Sequence, residues 1–260
     1  MLHYHFMTVF TIRRHIRTDR AAERQIRYLV GAALPLAIFG AFALASLAGA
    51  ERAIAASALA AAVVLPAGAM VLVGFQISGY PNARLGVCNG VTLLRGAAIA
   101  ALAGLIAVPD SLAALGYLLA ILAAIILALD GVDGWAARRS GLSSGFGARL
   151  DVETDVAFTL VLAALAVALG HVGPWFLLLG LLRPGFLVAG RIWPWLHASL
   201  PPSQRRRWVA GVQMGGQVVL LLPDLAAPLS YTMGAMILGV VMTSFSIDIR
   251  ALRVTERRAS

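Results

Sequence analysis

Residues 111–155 read SLAALGYLLAILAAIILALDGVDGWAARRSGLSSGFGARLDVETD, and the two parts of this stretch decide the fold. Ser111 to Leu129 carries no charge and approaches the roughly 20 apolar residues that a helix needs to cross a bilayer core. The part that follows gathers Asp130, Asp133, Asp151, Glu153 and Asp155, five of the twelve acids in the chain. An apolar span therefore ends on an acidic cluster, and the next span begins on it.

The pattern repeats outward. Tyr28 to Ala50 and Ile54 to Ala83 are also free of charge and long enough to cross a bilayer. Over all 260 residues 60% are apolar and 13% are charged, about half the usual globular share, which excludes an ordinary soluble domain. Charge-poor runs between Arg-bearing or Pro/Gly-bearing breaks give about eight spans, near residues 27–48, 53–76, 90–108, 111–130, 149–170, 173–193, 208–223 and 228–248. The expected fold is an all-α, polytopic transmembrane helix bundle.

The net charge of +9 comes from 21 Arg and no Lys. These residues sit between spans rather than in a patch interleaved with aromatics, so no nucleic-acid partner is expected. Arg13 to Arg27, Arg84, Arg138, Arg139, Arg149, Arg191, Arg205 to Arg207 and the tail from Arg250 fall on one side, whereas the opposite connections hold only Arg52. That asymmetry predicts both termini in the cytoplasm, and an even number of spans agrees with it. The segment His3 to Arg27 alternates apolar residues with Arg and is read either as an amphipathic helix on the inner leaflet or as a solvated topogenic tail. Because Arg follows Met1 to Ile12 rather than precedes it, no cleaved signal peptide is expected and the whole chain is taken as mature. The single cysteine, Cys88, excludes an internal disulfide and a Cys-cluster metal site. Small residues at helical spacing, Ala37, Ala41, Ala45 and Gly49, then Gly211 and Gly215, are read as packing surfaces.

Asp130 and Asp133 are three apart and Asp151 and Asp155 four apart, so each pair shares a helix face, and two such faces opposed can surround a cation. One Asp at the end of a span is as readily an interfacial residue; four at this spacing are not. Oxygen donors without nearby His or Cys point to Mg2+ or Mn2+ rather than zinc. Glu153 falls on another side of its helix and reads as a solvated or hydrogen-bonded bystander. Between the pairs run Gly131, Gly134, Ala136, Ala137, Arg138, Ser140, Gly141, Ser143, Ser144, Gly145 and Gly147. Small residues allow close backbone approach and Arg138 offers a forked donor, so the segment reads as a Gly/Ser-rich loop where metals grip a phosphoanhydride. Four carboxylates and a diphosphate carry about minus six, which two divalent ions and Arg138 bring close to neutral.

The pattern Asp130-x2-Asp133-Gly134-x2-Ala137-Arg138-x8-Gly147-x3-Asp151-x3-Asp155 resembles the complete signature of the CDP-alcohol phosphatidyltransferases. Upstream, Asn89-Gly90-Val91-Thr92-Leu93-Leu94-Arg95 is similar to the start of that family's first core helix, with Val87-Cys88 where a Pro often stands. The resemblance covers about residues 87–248 and implies a six-helix core, preceded by a basic segment (1–26) and two additional helices (27–86) and followed by a basic tail (249–260). The additional helices could pack beside the core, contact a partner or shape the lipid entrance.

The resemblance implies attack by an acceptor alcohol on the phosphorus of a CDP-linked lipid or alcohol, with release of CMP. Asp130, Asp133, Asp151 and Asp155 would ligate two divalent ions, Mg2+ or Mn2+, and Asp155 would also be the catalytic base. Asn89, Thr92, Gly134, Ala137, Arg138, Ser144 and Gly147 would bind the CDP-alcohol. It further implies a homodimer in a bilayer, with the site opening to the cytoplasm; a bacterial inner membrane is the expected location.

For the acceptor, Arg183 lies within a span, Arg191 ends it, and Arg205 to Arg207 open the next ahead of Gln213. Arg183, Arg191, Arg206 and Gln213 are the candidate pocket for a phosphorylated or carboxylated alcohol, and glycerol 3-phosphate is favoured, with CDP-diacylglycerol as donor. The triple Arg also fits a plain topogenic loop facing lipid headgroups. Alternatives are a CDP-choline or CDP-ethanolamine type of transfer to diacylglycerol, or a divalent-cation transporter. A transporter site is usually built at midplane from broken helices in repeated halves, and no such repeat is visible here. His171, His197, Trp175, Trp193 and Trp195 are assigned structural or interfacial roles.

Overall fold

The computed structural model describes residues 20–82, 84–140, 144–198 and 203–259 and places an α-helix on each of the eight apolar stretches. They are α1 (Arg20–Leu47), α2 (Ala53–Ser78), α3 (Val87–Gly104), α4 (Tyr117–Ser140), α5 (Gly145–Ala168), α6 (Leu178–Ile192), α7 (Gln204–Val219) and α8 (Ala227–Ala259). No strand occurs among the described residues. The chain is an all-α, polytopic integral membrane protein. Residues 1–19, which hold most of the candidate amphipathic segment, lie outside the described residues.

Among the described residues five helices are long and apolar enough to cross a membrane by themselves, and a bent pair makes a sixth. The two others differ for physical reasons. α5 carries Arg149, Asp151, Glu153 and Asp155 in its first turns, and α7 has only 16 residues, about 24 Å of helix. The bent pair corrects the expected span 111–130. Pro109–Leu115 forms a 3-10 helix, Gly116 turns the corner at φ +49°, and the following helix departs at 84°. The Tyr117 hydroxyl donates to Asp224, tying this corner to the connection between α7 and α8. At the other extreme α8 continues through the expected tail, and its 33 residues span about 50 Å against a hydrocarbon core of about 30 Å.

Inside a bilayer helices gain little from hydrophobic association, so close approach of small residues holds them together. Ala37, Ala41 and Ala45 of α1 and Ala56 and Ala60 of α2 are all 0% exposed. At their crossing with α3, a Cβ on Gly104 would stand 2.4 Å from the Ala56 carbonyl oxygen and 2.8 Å from the Ala41 Cβ, so only glycine fits. Gly49 instead turns the chain after α1 at φ +69°. Gly211 and Gly215 face open space, and Gly216 makes the close contact with α8, where a Cβ would meet Ile237 at 2.6 Å. Phe158, Leu162 and Leu165 of α5 are fully buried in the main apolar core, to which α3, α4 and α7 also contribute. The His171 ring nitrogen Nδ1 lies 2.7 Å from the Leu220 carbonyl, a tie between the end of α5 and that of α7.

Candidate active site

Asp151 and Asp155 stand one turn apart on α5, and Asp130 lies on the facing part of α4. One carboxylate oxygen from each comes within 4.8 Å of the others. Their common partner is Arg95 of α3, whose side chain is 0% exposed. Nη1 donates to Asp130 Oδ1 at 2.8 Å and to Asp151 Oδ1 at 3.2 Å, and Nη2 donates to Asp155 Oδ1 at 2.8 Å. A buried charge is tolerable only when paired and hydrogen-bonded, and three helices converge here to satisfy that condition.

The three carboxylates keep 33%, 40% and 28% of their side-chain surface, so the cluster is closed on the Arg95 side and open on the other. With all three carboxylates ionised, the one guanidinium would leave two negative charges. The guanidinium already occupies a cation's position among them. A further hard divalent ion suits both the residual charge and the all-oxygen donor set, so the residues present fit Mg2+ or Mn2+. Asp133 follows Asp130 by three residues on α4, but its side chain lies outside the described residues.

The expected Gly/Ser-rich loop is shorter than its composition suggests. α4 runs on to Ser140, so Gly131, Gly134, Ala137 and Arg138 are helical, and the connection to α5 is confined to residues 141–144. Two adjacent alanines and the absence of proline let the helix continue through the glycines. The side chains of Ala137 and Arg138, and the surroundings of Gly134, lie outside the described residues. Ser144 caps α5, its Oγ accepting from the Gly147 N–H at 3.0 Å, as serine commonly does at a helix start.

Asn89, Ser144 and Gly147 meet across the gap between α3 and α5. A Cβ on Gly147 would lie 2.6 Å from Asn89 Oδ1 and 3.3 Å from Ser144 Oγ, so this glycine provides a close approach that any side chain would fill. Asn89 is 2% exposed and donates from Nδ2 to the Tyr80 hydroxyl at 3.2 Å; that hydroxyl also accepts from the Gly86 N–H at 3.4 Å. Thr92, one turn further along α3, is buried and donates to the Cys88 carbonyl at 3.0 Å. Asn89, Thr92 and Arg95 thus line one face of α3, running from the Ser144 cap toward the carboxylates.

The acceptor candidates are spread over two helices, α6 and α7. Arg183 of α6 reaches Glu153 of α5 at 3.2 Å, and its buried Nε has no hydrogen-bond partner among the described residues. Arg191 is exposed at the end of α6. Arg206 of α7 lies 3.4 Å from Asp248 of α8, while Arg205 binds Asp248 at 2.5 Å and donates to the Ser244 carbonyl at 2.9 Å. Gln213 donates to Thr159 Oγ1 at 3.4 Å, beside the buried Gln217, which donates to the Thr159 carbonyl at 3.0 Å. The side chain of His197 lies outside the described residues.

Tyr80, Asp248 and the central position of Arg95 are absent from the reading of the sequence. Arg95 does carry a signal in the sequence: like Arg183, it is an Arg inside a span. Tyr80 and Asp248 left no such signal, because each is recognised only by what it faces on another helix.

A family model described as CDP-alcohol phosphatidyltransferase matches residues 85–245, more than half of the chain. The match begins just before α3 and leaves out α1 and α2. No curated protein and no solved structure matches.

Proposed function

Because this chain belongs to the CDP-alcohol phosphatidyltransferase family, an enzyme family of phosphotransferases, we propose that it transfers the lipid-bearing phosphate of CDP-diacylglycerol to glycerol 3-phosphate with release of CMP. The observation that carries this reading is the set of three carboxylates from two helices held around one buried cation and open on one side.

In this reading Asp130, Asp133, Asp151 and Asp155 hold two divalent ions, Mg2+ or Mn2+. Such ions, when bound, neutralise the diphosphate and acidify the acceptor hydroxyl. Asn89, Thr92, Ser144 and Gly147, with Gly134, Ala137 and Arg138 of α4, bind the nucleotide diphosphate; the close approach of Asn89 and Ser144 at Gly147, which brings three of these residues together, supports this. Arg183, Arg191, Arg206 and Gln213 draw the acceptor's phosphate, and the partly exposed guanidinium of Arg183 supports this. The acceptor oxygen attacks the lipid-side phosphorus in line, the anhydride P–O bond breaks, and its electron pair leaves with CMP. Asp155 takes the hydroxyl proton as the new bond forms and then passes it to water. Most of the acceleration comes from holding oxygen and phosphorus in line within a field that offsets the charge on the phosphoryl oxygens.

We place the site and both termini on the cytoplasmic side of a bacterial inner membrane, on the strength of the Arg asymmetry, and the working unit as a homodimer with its catalytic core over residues 87–248. The test is CMP release by the purified chain given CDP-diacylglycerol and Mg2+ or Mn2+, with glycerol 3-phosphate, an inositol phosphate, serine and choline supplied singly. Metal-dependent release with glycerol 3-phosphate alone is the expected result. Release with another acceptor only would replace the acceptor, and release from CDP-choline onto diacylglycerol would replace the donor.

A further inference from the structure

The two helices outside the family match form a wall of a cavity that the catalytic residues do not use. It has a volume of about 790 Å3 and is bounded by α1, α2, α3, α5 and α6. α2 contributes a helical stripe from Val63 through Val64, Ala67, Val71 and Gly74 to Ser78, and α1 adds Val30 and Ala33. Fifteen residues of helical rise make the slot about 22 Å long, more than the roughly 15 Å depth of one leaflet.

Its ends differ in chemistry. At one end stand Ser78, Tyr80, Thr92, Arg149 and Thr154; the first turns of α5 put Asp151 and Asp155 at that same end. At the other end the lining is Val63, Val64, Ile99, Ala100 and Leu160. Met70 and Ile77 on the rim are 73% and 78% exposed, so the slot is open along one side. A polar mouth beside the candidate active site, an apolar bore longer than a leaflet and a side opening fit a molecule with a polar head and a long hydrocarbon chain.

We infer that this slot holds one acyl chain of the CDP-linked lipid donor, and that α1 and α2 set the chain length the enzyme accepts. The inference rests on the proposed donor. Thr92, on the same face of α3 as Asn89, lines the mouth, as do Gly145 and Phe146 beside the Ser144 cap, so the slot opens on the proposed nucleotide side of the site; Glu153, Leu181 and Pro184, close to Arg183, line it as well. A chain moving from bilayer to slot gains nothing from leaving water, because lipid is as apolar as the lining. Selection by length must therefore come from fit against the slot's end. The small lining residues Ala67, Gly68, Gly74 and Gly96 provide the width.

Two measurements test this on the full-length chain. The first is CMP release with dioctanoyl, dipalmitoyl and dioleoyl CDP-diacylglycerol, comparing the wild type with Ala67→Phe, which narrows the deep half, and Gly74→Leu, which narrows the slot near its mouth, where a Cβ has its nearest neighbour at 3.9 Å. Ala67→Phe is expected to shift preference toward dioctanoyl by about tenfold, and Gly74→Leu to raise KM for all three. An unchanged chain-length profile in both folded variants, with turnover intact, would overturn the inference and leave the proposed reaction standing. The second is photolabelling by a CDP-diacylglycerol carrying a diazirine at mid-chain. Labels on α2 and α5, competed by CDP-diacylglycerol and not by phosphatidylglycerol, support the inference even in a preparation without turnover, where the reaction alone would fail. Labels elsewhere, equal competition by phosphatidylglycerol, or disulfide cross-linking of two copies through Ala67→Cys would each overturn it.

Discussion

Arg95 donates from Nη2 to Asp155 Oδ1 over 2.8 Å, and the arginine is wholly buried while the carboxylate keeps 28% of its side-chain surface. Asp155 is thus anchored from behind and free in front. The same guanidinium holds Asp130 and Asp151, so one residue of α3 sets the spacing of the carboxylates on α4 and α5.

Replacing Arg95 with alanine leaves three carboxylates facing one another without a cation. Since they remain partly hydrated, the cost is about 1–3 kcal/mol rather than that of a fully buried charge. Thermal unfolding in EDTA should show a lower Tm for Arg95→Ala. Added Mg2+ should raise the Tm of the variant more than that of the wild type, because it supplies the missing charge. Arg95→Lys should recover only part of the loss, as an ammonium cannot span three carboxylates in fork geometry. Equal Mg2+ increments in variant and wild type would count against a metal at this cluster.

Asp155→Asn removes the proposed proton acceptor and keeps the shape. Its amide oxygen can still accept from Arg95, so folding should be preserved. The expected result is a fall in kcat of about 10^2–10^4 with binding of a CDP-alcohol, followed calorimetrically, nearly unchanged. Loss of binding in proportion to turnover would leave Asp155 its proposed metal-holding role and remove its role as base.

Gly147→Ala weighs two opposed effects. Alanine in a helix gains about 0.5–1 kcal/mol over glycine. Its Cβ would also meet Asn89 Oδ1 at 2.6 Å, and Asn89 is buried and tethered by Tyr80, so it yields poorly. The clash should win at the site and roughly cancel in the whole protein: KM for the CDP-lipid rises about tenfold while Tm changes little. Tyr80→Phe, which releases Asn89, should relieve part of that KM increase when combined with Gly147→Ala.

The spans and the paired acids were legible because both are local patterns. Hydropathy marks a helix from its own residues, and spacings of three and four put Asp130 with Asp133, and Asp151 with Asp155, on common faces whatever surrounds them. Arg95 at the centre, Tyr80 behind Asn89 and Asp248 opposite Arg205 and Arg206 depend on how helices are rotated against each other, which periodicity does not carry. The glycines after Asp130 misled for a related reason. Glycine is read as a loop former from its backbone freedom, yet α4 passes through Gly131 and Gly134. The corner at Gly116 hid inside an unbroken apolar run for the same cause, since only its φ of +49° distinguishes it.

Glu153, read as a bystander, holds Arg183 at 3.2 Å. If Arg183 binds the acceptor's phosphate, Glu153 competes for the same guanidinium, and the two variants should move in opposite directions. Arg183→Ala removes charge-assisted hydrogen bonds of about 1.5–3 kcal/mol and should raise KM for glycerol 3-phosphate at least about tenfold. Glu153→Gln leaves Arg183 charged and without that carboxylate, and should lower that KM; both variants should change the acceptor KM more than the CDP-lipid KM. The contrast separates an acceptor site from a structural ion pair. Were the pair only structural, both substitutions would lower Tm and neither would alter acceptor KM, because each leaves the other partner equally uncompensated.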